Sequence, residues 1–216
     1  MKSSSFIRFW TDLFFRPKKF FETNWKDKSL YLRYFPLAFF IYGTAFGIDR
    51  LDYAFFKADV IGGDSAIFNS IINSWGGYWL VAIVGGMAGG YLIYLIGSWF
   101  FNLRLKLSKG TSDMEKSRFI FLYSSVIPSS IIIFITLVST LFEDKPYEMN
   151  YEFIVWDIIS IFLMIFILFY SVYVSYTGVR TITDVSKWPS VFWFLILPVI
   201  YYFLQLLSIV KILFVF

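Results

Sequence analysis

The chain has 216 residues, of which 58% are hydrophobic, 24% aromatic and only 16% charged, with a formal net charge of +4. A soluble domain normally carries about 25% charged residues, so these proportions indicate a membrane protein. Cysteine and histidine are both absent, which excludes disulfides, thiol ligands and imidazole acid–base catalysis. The small excess of basic residues gives no indication of nucleic-acid binding.

Residues 1–33 form a predicted cytoplasmic segment that starts with an amphipathic helix. At 100° per residue, its apolar side chains share one arc and its charged side chains the other, and only Phe15 is misplaced. Such a helix lies in the membrane interface, with its rings among acyl chains and its cations near anionic headgroups. The alternative is that it packs against the chain's own spans. Pro17 should divide it in two, because proline suits the first turn of a new helix. The side chains assigned to the membrane surface are Phe6, Trp10, Phe14, Arg16, Lys18 and Lys19.

Five apolar blocks follow, and a helix needs about 20 apolar residues to cross a bilayer. We therefore expect an all-α membrane protein, a bundle of five transmembrane helices with the amphipathic N-terminal interfacial helix before it. The first block is the weakest, and residues 64–75 after it predict a short amphipathic helix on the outer surface. Within a transmembrane domain of residues 34–216, the spans are approximately residues 34–56, 75–101, 119–142, 153–178 and 191–216.

Basic residues are distributed unevenly among the segments that connect these blocks. Residues 1–33, 102–118 and 179–190 together carry fifteen Lys and Arg, whereas residues 49–74 and 143–152 carry three. Cytoplasmic connections hold the excess of Lys and Arg, so five spans put the N-terminus in the cytoplasm and the C-terminus outside. We expect a multi-pass protein of a prokaryotic plasma (inner) membrane.

The second block contains a row of small residues at helical spacing. Glycine pairs four residues apart let two helices in a membrane approach closely, because no side chain separates their backbones. We expect this block to be the central helix of the bundle or the seam of a dimer. The stretch GGMAGG is no phosphate loop, since neither a Lys-Ser/Thr pair nor a strand accompanies it. The predicted packing residues are Ala82, Gly85, Gly86, Gly89, Gly90 and Gly97.

Two prolines and two charges lie within apolar blocks. Pro128 and Pro198 predict helix kinks, which are either packed or serve as hinges. Asp157 and Lys211 lie near the predicted outer ends of their spans. We expect them to snorkel to the interface or to pair with each other, with Gln205 joining them. The alternative is an ion or proton pathway, since charges inside a membrane are candidates for function.

The order of these features resembles the Yip family, membrane proteins named for interacting with Ypt/Rab GTPases. The resemblance rests on the five-span layout, the glycine-rich second span and three stretches of sequence: FFRPKKFFETNW, FLYSSVIPSSI and GVRTITDVSKWPSVFWF. In eukaryotes, members of this family act in vesicle traffic in Golgi and endoplasmic reticulum membranes, through Rab GTPases and partners of the same fold. This sequence has no Asp-Leu-Tyr-Gly-Pro stretch before its first span and is more similar to the short prokaryotic members.

The resemblance implies a polytopic membrane protein that is not an enzyme and that acts as a membrane-organising or trafficking-type scaffold. We expect no catalytic, cofactor-binding or metal-binding residues. Its expected partners are the lipid bilayer, with anionic headgroups at the cytoplasmic face, and another protein or a second copy of the chain. A third option is an intramembrane enzyme, and the main alternative is a small transporter or channel component. Such a protein would need a hydrated cavity near the midplane, lined by Ser124, Ser125, Ser129 or Thr136.

Overall fold

The computed structural model describes residues 3–61, 73–146 and 155–215, with side chains at 6–55, 73–146 and 155–207. Across those residues the chain is helical, and short connections join the helices within each described range. In chain order the elements are α1 (Ser3–Phe15), α2 (Pro17–Lys26), α3 (Lys28–Ile61), α4 (Trp75–Leu107), α5 (Met114–Phe142), α6 (Val155–Ile182), α7 (Lys187–Val191), a π-helix (Phe192–Ile196) and α8 (Leu197–Val215).

Within the described ranges, four stretches of helix are long and apolar enough to cross a membrane. They are Trp75–Leu107, Met114–Phe142, Val155–Ile182 and Lys187–Leu207, the last of which runs through α7, the π-helix and part of α8. Large apolar side chains such as Leu80, Phe162 and Tyr201 stand exposed on these helices. Contiguous apolar surface of this kind is stable in lipid, so the chain is an integral, multi-pass membrane protein.

The expected count of five spans depends on α3, which is not among these four. Lys28–Ile61 is 34 residues long, but charged residues such as Arg33, Asp49 and Asp52 interrupt it. Its apolar stretch is therefore shorter and less hydrophobic than those of the other long helices. A fifth crossing stays a proposal. The short helix expected over residues 64–75 falls almost entirely outside the described residues.

The chain divides into two compact units, and each long helix from α3 to α6 contributes to both. The first unit is Met1–Tyr34, Leu95–Ser124 and Phe166–Phe216, and the second is Phe35–Tyr94 and Ser125–Ile165.

In the first unit, the apolar face of α1 and α2 is packed against the chain itself. The two helices meet at Pro17, which occupies the first turn of α2 as expected. Ring centroids lie 4.4 Å apart between Phe9 and Tyr34, and 5.4 Å apart between Phe20 and Tyr123. This packing corrects the expectation that the whole face lies among acyl chains. The amphipathic pattern does not distinguish the two cases, because protein and lipid are equally apolar surroundings. The side chains at most 5% exposed are Phe9, Leu13, Phe20 and Phe21.

In the second unit, α3 and α4 share a core. Ala82 and Ile48 are almost completely buried there, and Trp79 and Ile133 pack against the cluster. Tyr78 donates a hydrogen bond to Asp52 Oδ1 at 2.6 Å. The indole of Trp79 donates to Thr140 Oγ1 at 3.2 Å, which joins α4 to α5.

Candidate functional site

The glycines of α4 contact a pair of glycines on α3. A Cβ atom on Gly86 would lie 2.9 Å from Gly47 Cα and closer still to the carbonyl oxygen of Gly43. A Cβ atom on Gly90 would lie 3.0 Å from Gly43 Cα. On the other side, a Cβ atom on Gly47 would lie 2.8 Å from Ala82 Cα. The two backbones therefore touch along a seam, which we call the α3–α4 seam.

The remaining glycines of the row face other surroundings. Nothing lies within 4 Å of a Cβ atom built on Gly85, so this residue takes no part in the seam. A Cβ atom on Gly89 would lie 2.8 Å from the ring of Phe46, and one on Gly97 would lie 2.5 Å from the ring of Phe121. The sequence analysis missed the partner glycines on α3. The stretch GTAFG, which runs from Gly43 to Gly47, carries the same four-residue spacing and was the available signal.

Pro128 lies inside α5, which continues as a helix from Met114 to Phe142. Two hydroxyl groups that follow it in α5 donate to carbonyls of their own helix. Ser130 Oγ donates to the carbonyl of Val126 at 2.8 Å, and Thr136 Oγ1 donates to that of Ile132 at 3.0 Å. These hydroxyl protons are therefore already used inside the helix.

The sequence predicts a kink at Pro198, and the structure has a π-helix, Phe192–Ile196, just before this proline. The N–H of Leu197 donates to the carbonyl of Phe192, five residues earlier. The next N–H in this pattern belongs to position 198, and proline has none, so the carbonyl of Trp193 is left without a helical partner.

Arg104 of α4 supplies the missing donors. Its Nε donates to the Trp193 carbonyl at 2.9 Å, and its Nη2 donates to the same oxygen. The guanidinium also lies 4.4 Å from the centre of the Phe194 ring, which stabilises the half-buried cation. In the sequence analysis, Arg104 counted only as one of the basic residues that set orientation, because nothing local to it indicates a partner 89 positions away.

The predicted charges within apolar blocks are only partly described. Asp157 lies in the first turn of α6 and is half-buried. Lys211 belongs to α8, but its side chain falls outside the described residues, so their pairing stays a prediction. Gln205, expected to join them, donates its amide to the hydroxyl of Tyr201 at 2.8 Å.

The side chains assigned to the membrane surface fall into two groups. Phe6 is 39% exposed, whereas Trp10 and Phe14 are half-buried, and the carbonyl of Phe14 accepts a hydrogen bond from Tyr170 at 2.6 Å. Among the cations, Arg16 and Lys18 are exposed. Lys19 instead forms an ion pair with the buried Asp12, with Nζ 3.1 Å from Oδ2.

A polar cavity of about 600 Å³ lies in the first unit, where α2 meets the end of α6 and the connection between α4 and α5. Two connecting segments are tied together beside it. The N–H and hydroxyl of Thr111 donate to Asp184 Oδ1 at 3.2 and 2.9 Å, and the N–H of Ser186 donates to the carbonyl of Ser108 at 3.0 Å. The hydroxyl of Thr111 is the main cause that lowers the pKa of Asp184, so this carboxylate is ionised at neutral pH. The cavity is lined by Glu22, Trp25, Lys26, Thr111, Lys116, Thr181, Ile182, Thr183 and Asp184.

Comparison with known proteins identifies the family. A family model for the Yip1 domain matches residues 11–210, which is most of the chain. No curated protein and no solved structure matches the sequence. The match covers the last turn of α1, all of α2 and all four apolar helices. The chain therefore belongs to the Yip1 domain family of membrane proteins.

Proposed function

We propose that the protein is a non-enzymatic membrane scaffold, which organises or sorts membrane components through contacts with proteins and lipids. The observation that carries the proposal is the α3–α4 seam. At Gly47 and Gly86 the two backbones are so close that one added methyl group has no room. A transported solute needs a hydrated gap between helices, and the seam leaves none along its length.

Two further features support a scaffold over a transporter. The hydroxyls of Ser130 and Thr136 donate to carbonyls of their own helix, so they offer no free protons to a passing solute. The exposed cations Arg16 and Lys18 suit contact with anionic headgroups at the cytoplasmic face. The scaffold thus combines a closely packed helix pair with a charged surface on the N-terminal helices.

The proposal is tested by isolating the tagged chain from its membrane in a mild detergent after cross-linking. Recovery of one protein partner, or of a second copy of the chain, in a fixed ratio is the expected result. A control chain carries Gly85→Leu, a change into open space that leaves the seam intact, and should give the same recovery as the unchanged chain. Flux of a solute through vesicles that contain the purified chain alone would contradict the scaffold and favour a small transporter or channel.

The proposal includes five crossings, with α3 as the first, in a prokaryotic plasma membrane. The uneven distribution of Lys and Arg supports this arrangement, with the N-terminus in the cytoplasm and the C-terminus outside. Reporter fusions at the two ends should therefore be active in opposite compartments. Activity of both in the same compartment would mean that α3 does not cross the membrane and that the chain crosses it four times.

A further inference from the structure

The polar cavity has chemistry that the scaffold proposal does not use. Its lining carries two cations, Lys26 and Lys116, and two anions, Glu22 and Asp184. The charges of the lining therefore sum to zero. The cavity is open to the surface, and its volume is large enough for a small polar group. Its balanced charge favours a ligand that carries both signs over a simple anion.

The two lysines of the lining have hydrogen-bond donors to spare. Lys116 Nζ lies 3.7 Å from Asp113 Oδ2, which is too far for a hydrogen bond. Lys26 is exposed in the last turn of α2 and forms no hydrogen bond or ion pair with the described part of the chain. Both ammonium groups can therefore donate to an anionic group that enters the cavity, and a phosphate accepts such charge-assisted bonds well.

Two threonines and the two carboxylates of the lining present acceptors. The hydroxyl of Thr183 donates to the carbonyl of Val179 at 2.5 Å, and that of Thr111 donates to Asp184. Each hydroxyl has one proton, so both can only accept further hydrogen bonds. The ionised Asp184 and the carboxylate of Glu22, which is unpaired within the described residues, add acceptors with negative charge. These acceptors suit a cation that carries N–H donors.

The position of the cavity at the ends of the long helices indicates where such a ligand comes from. Thr111 and Lys116 lie just past the end of α4 and at the start of α5, and Thr181 to Asp184 lie at the end of α6. These are the ends of apolar helices long enough to cross a bilayer, so the cavity lies at the level of lipid headgroups rather than of acyl chains.

We propose that this cavity binds a phosphoethanolamine group, with its phosphate at Lys26 and Lys116 and its primary ammonium at Glu22, Asp184 and the two threonine hydroxyls. The source is the headgroup of an aminophospholipid. A choline headgroup fits less well, because its quaternary nitrogen has no N–H to donate. The aromatic face that would hold such a nitrogen is already occupied, since Trp25 stacks on Tyr31 and carries Lys28 at 5.0 Å. The inference goes beyond the scaffold and requires no protein partner.

The test uses the purified full chain in detergent micelles, with lipid binding followed by native mass spectrometry. Phosphatidylethanolamine, phosphatidylcholine and phosphatidylglycerol with identical acyl chains are the probes. We expect phosphatidylethanolamine to bind about tenfold more tightly than phosphatidylcholine, the order that one charge-assisted hydrogen bond contributes. Equal affinity for these two lipids, or tighter binding of phosphatidylglycerol, would overturn the proposal.

Variants locate the binding in the cavity. Lys26→Ala and Glu22→Gln each remove one charge that makes no hydrogen bond within the described chain, so folding should be preserved, and each should weaken phosphatidylethanolamine binding about tenfold. Lys106→Ala is the matched control, because Lys106 is exposed at the end of α4 and does not line the cavity. Identical affinities for Lys26→Ala and Lys106→Ala would refute the site.

A soluble probe distinguishes a lipid from a free metabolite. Glycerophosphoethanolamine carries the same headgroup without acyl chains. Displacement of the lipid by this probe at comparable concentration would support the site with a soluble ligand as its source. Binding of the lipid alone would support the aminophospholipid. Neither readout depends on recovery of a protein partner, so this inference and the scaffold can fail separately.

Discussion

The α3–α4 seam makes two neighbouring glycines respond in opposite ways to the same substitution. Gly85→Ala places a methyl group in open space, whereas Gly86→Ala places one 2.9 Å from Gly47 Cα and against the carbonyl of Gly43. Carbon atoms in contact normally lie about 3.5–4.0 Å apart. The atoms facing Gly86 belong to backbone, so they cannot rotate away, and the two helices must separate locally.

The magnitude follows from two contributions. Both variants gain about 1 kcal/mol from the better helix propensity of alanine, and this gain cancels in the comparison. Overpacking costs about 1–3 kcal/mol and applies to Gly86 alone. The free energy of unfolding should therefore be lower for Gly86→Ala than for Gly85→Ala by about 1–3 kcal/mol. For a chain of this size that corresponds to about 2–4 °C in unfolding temperature per kcal/mol.

The assay is thermal unfolding of the full chain in one detergent, followed by intrinsic tryptophan fluorescence. Gly86→Leu combined with Gly90→Leu should lower the unfolding temperature further, because both residues face backbone atoms of Gly43. Indistinguishable unfolding temperatures for Gly85→Ala and Gly86→Ala would mean that α3 and α4 are not in backbone contact, and the argument for the scaffold would lose its main support.

Three further predictions concern single side chains. Arg104→Met should lower the free energy of unfolding by about 1.5–3 kcal/mol, because the carbonyl of Trp193 loses its charged donor, and Arg104→Lys should restore part of it in a thermal unfolding assay. Thr111 lowers the pKa of Asp184, so the stability from this contact is present above the pKa of the unfolded chain and is lost as the pH falls through the lower folded value. Unfolding temperatures measured between about pH 2 and pH 5 should therefore rise with pH in the wild type and less steeply in Asp184→Asn. Asp157→Asn should change the unfolding temperature little if Asp157 anchors α6 at the interface, and loss of folded protein would contradict that role.

The sequence predicts the membrane class and the packing character of α4, but it cannot identify which glycines touch a neighbour. Gly85 and Gly86 have the same composition around them and the same four-residue spacing. Only the rotation of α4 about its axis relative to α3 distinguishes them. That rotation is set by the fit of two surfaces, and one helix sequence contains only one of the two.

The N-terminal helices show a second limit. The amphipathic pattern of α1 and α2 correctly separates apolar from charged side chains, and the expected division at Pro17 is confirmed. The pattern does not say whether the apolar face meets acyl chains or protein, because both exclude water equally. Phe9 and Phe20 meet Tyr34 and Tyr123 of the same chain. Long-range partners of this kind leave no periodic signal in the sequence.

The contact between Arg104 and Trp193 has a mechanical consequence. A helix that shifts along its axis must exchange its side-chain contacts one turn at a time. The guanidinium of Arg104 donates to a main-chain oxygen that has no other donor within its own helix. Displacement of the Phe192–Ile196 turn along α4 would leave the guanidinium and the carbonyl without each other as hydrogen-bond partners. The contact therefore resists sliding of the last helix along α4.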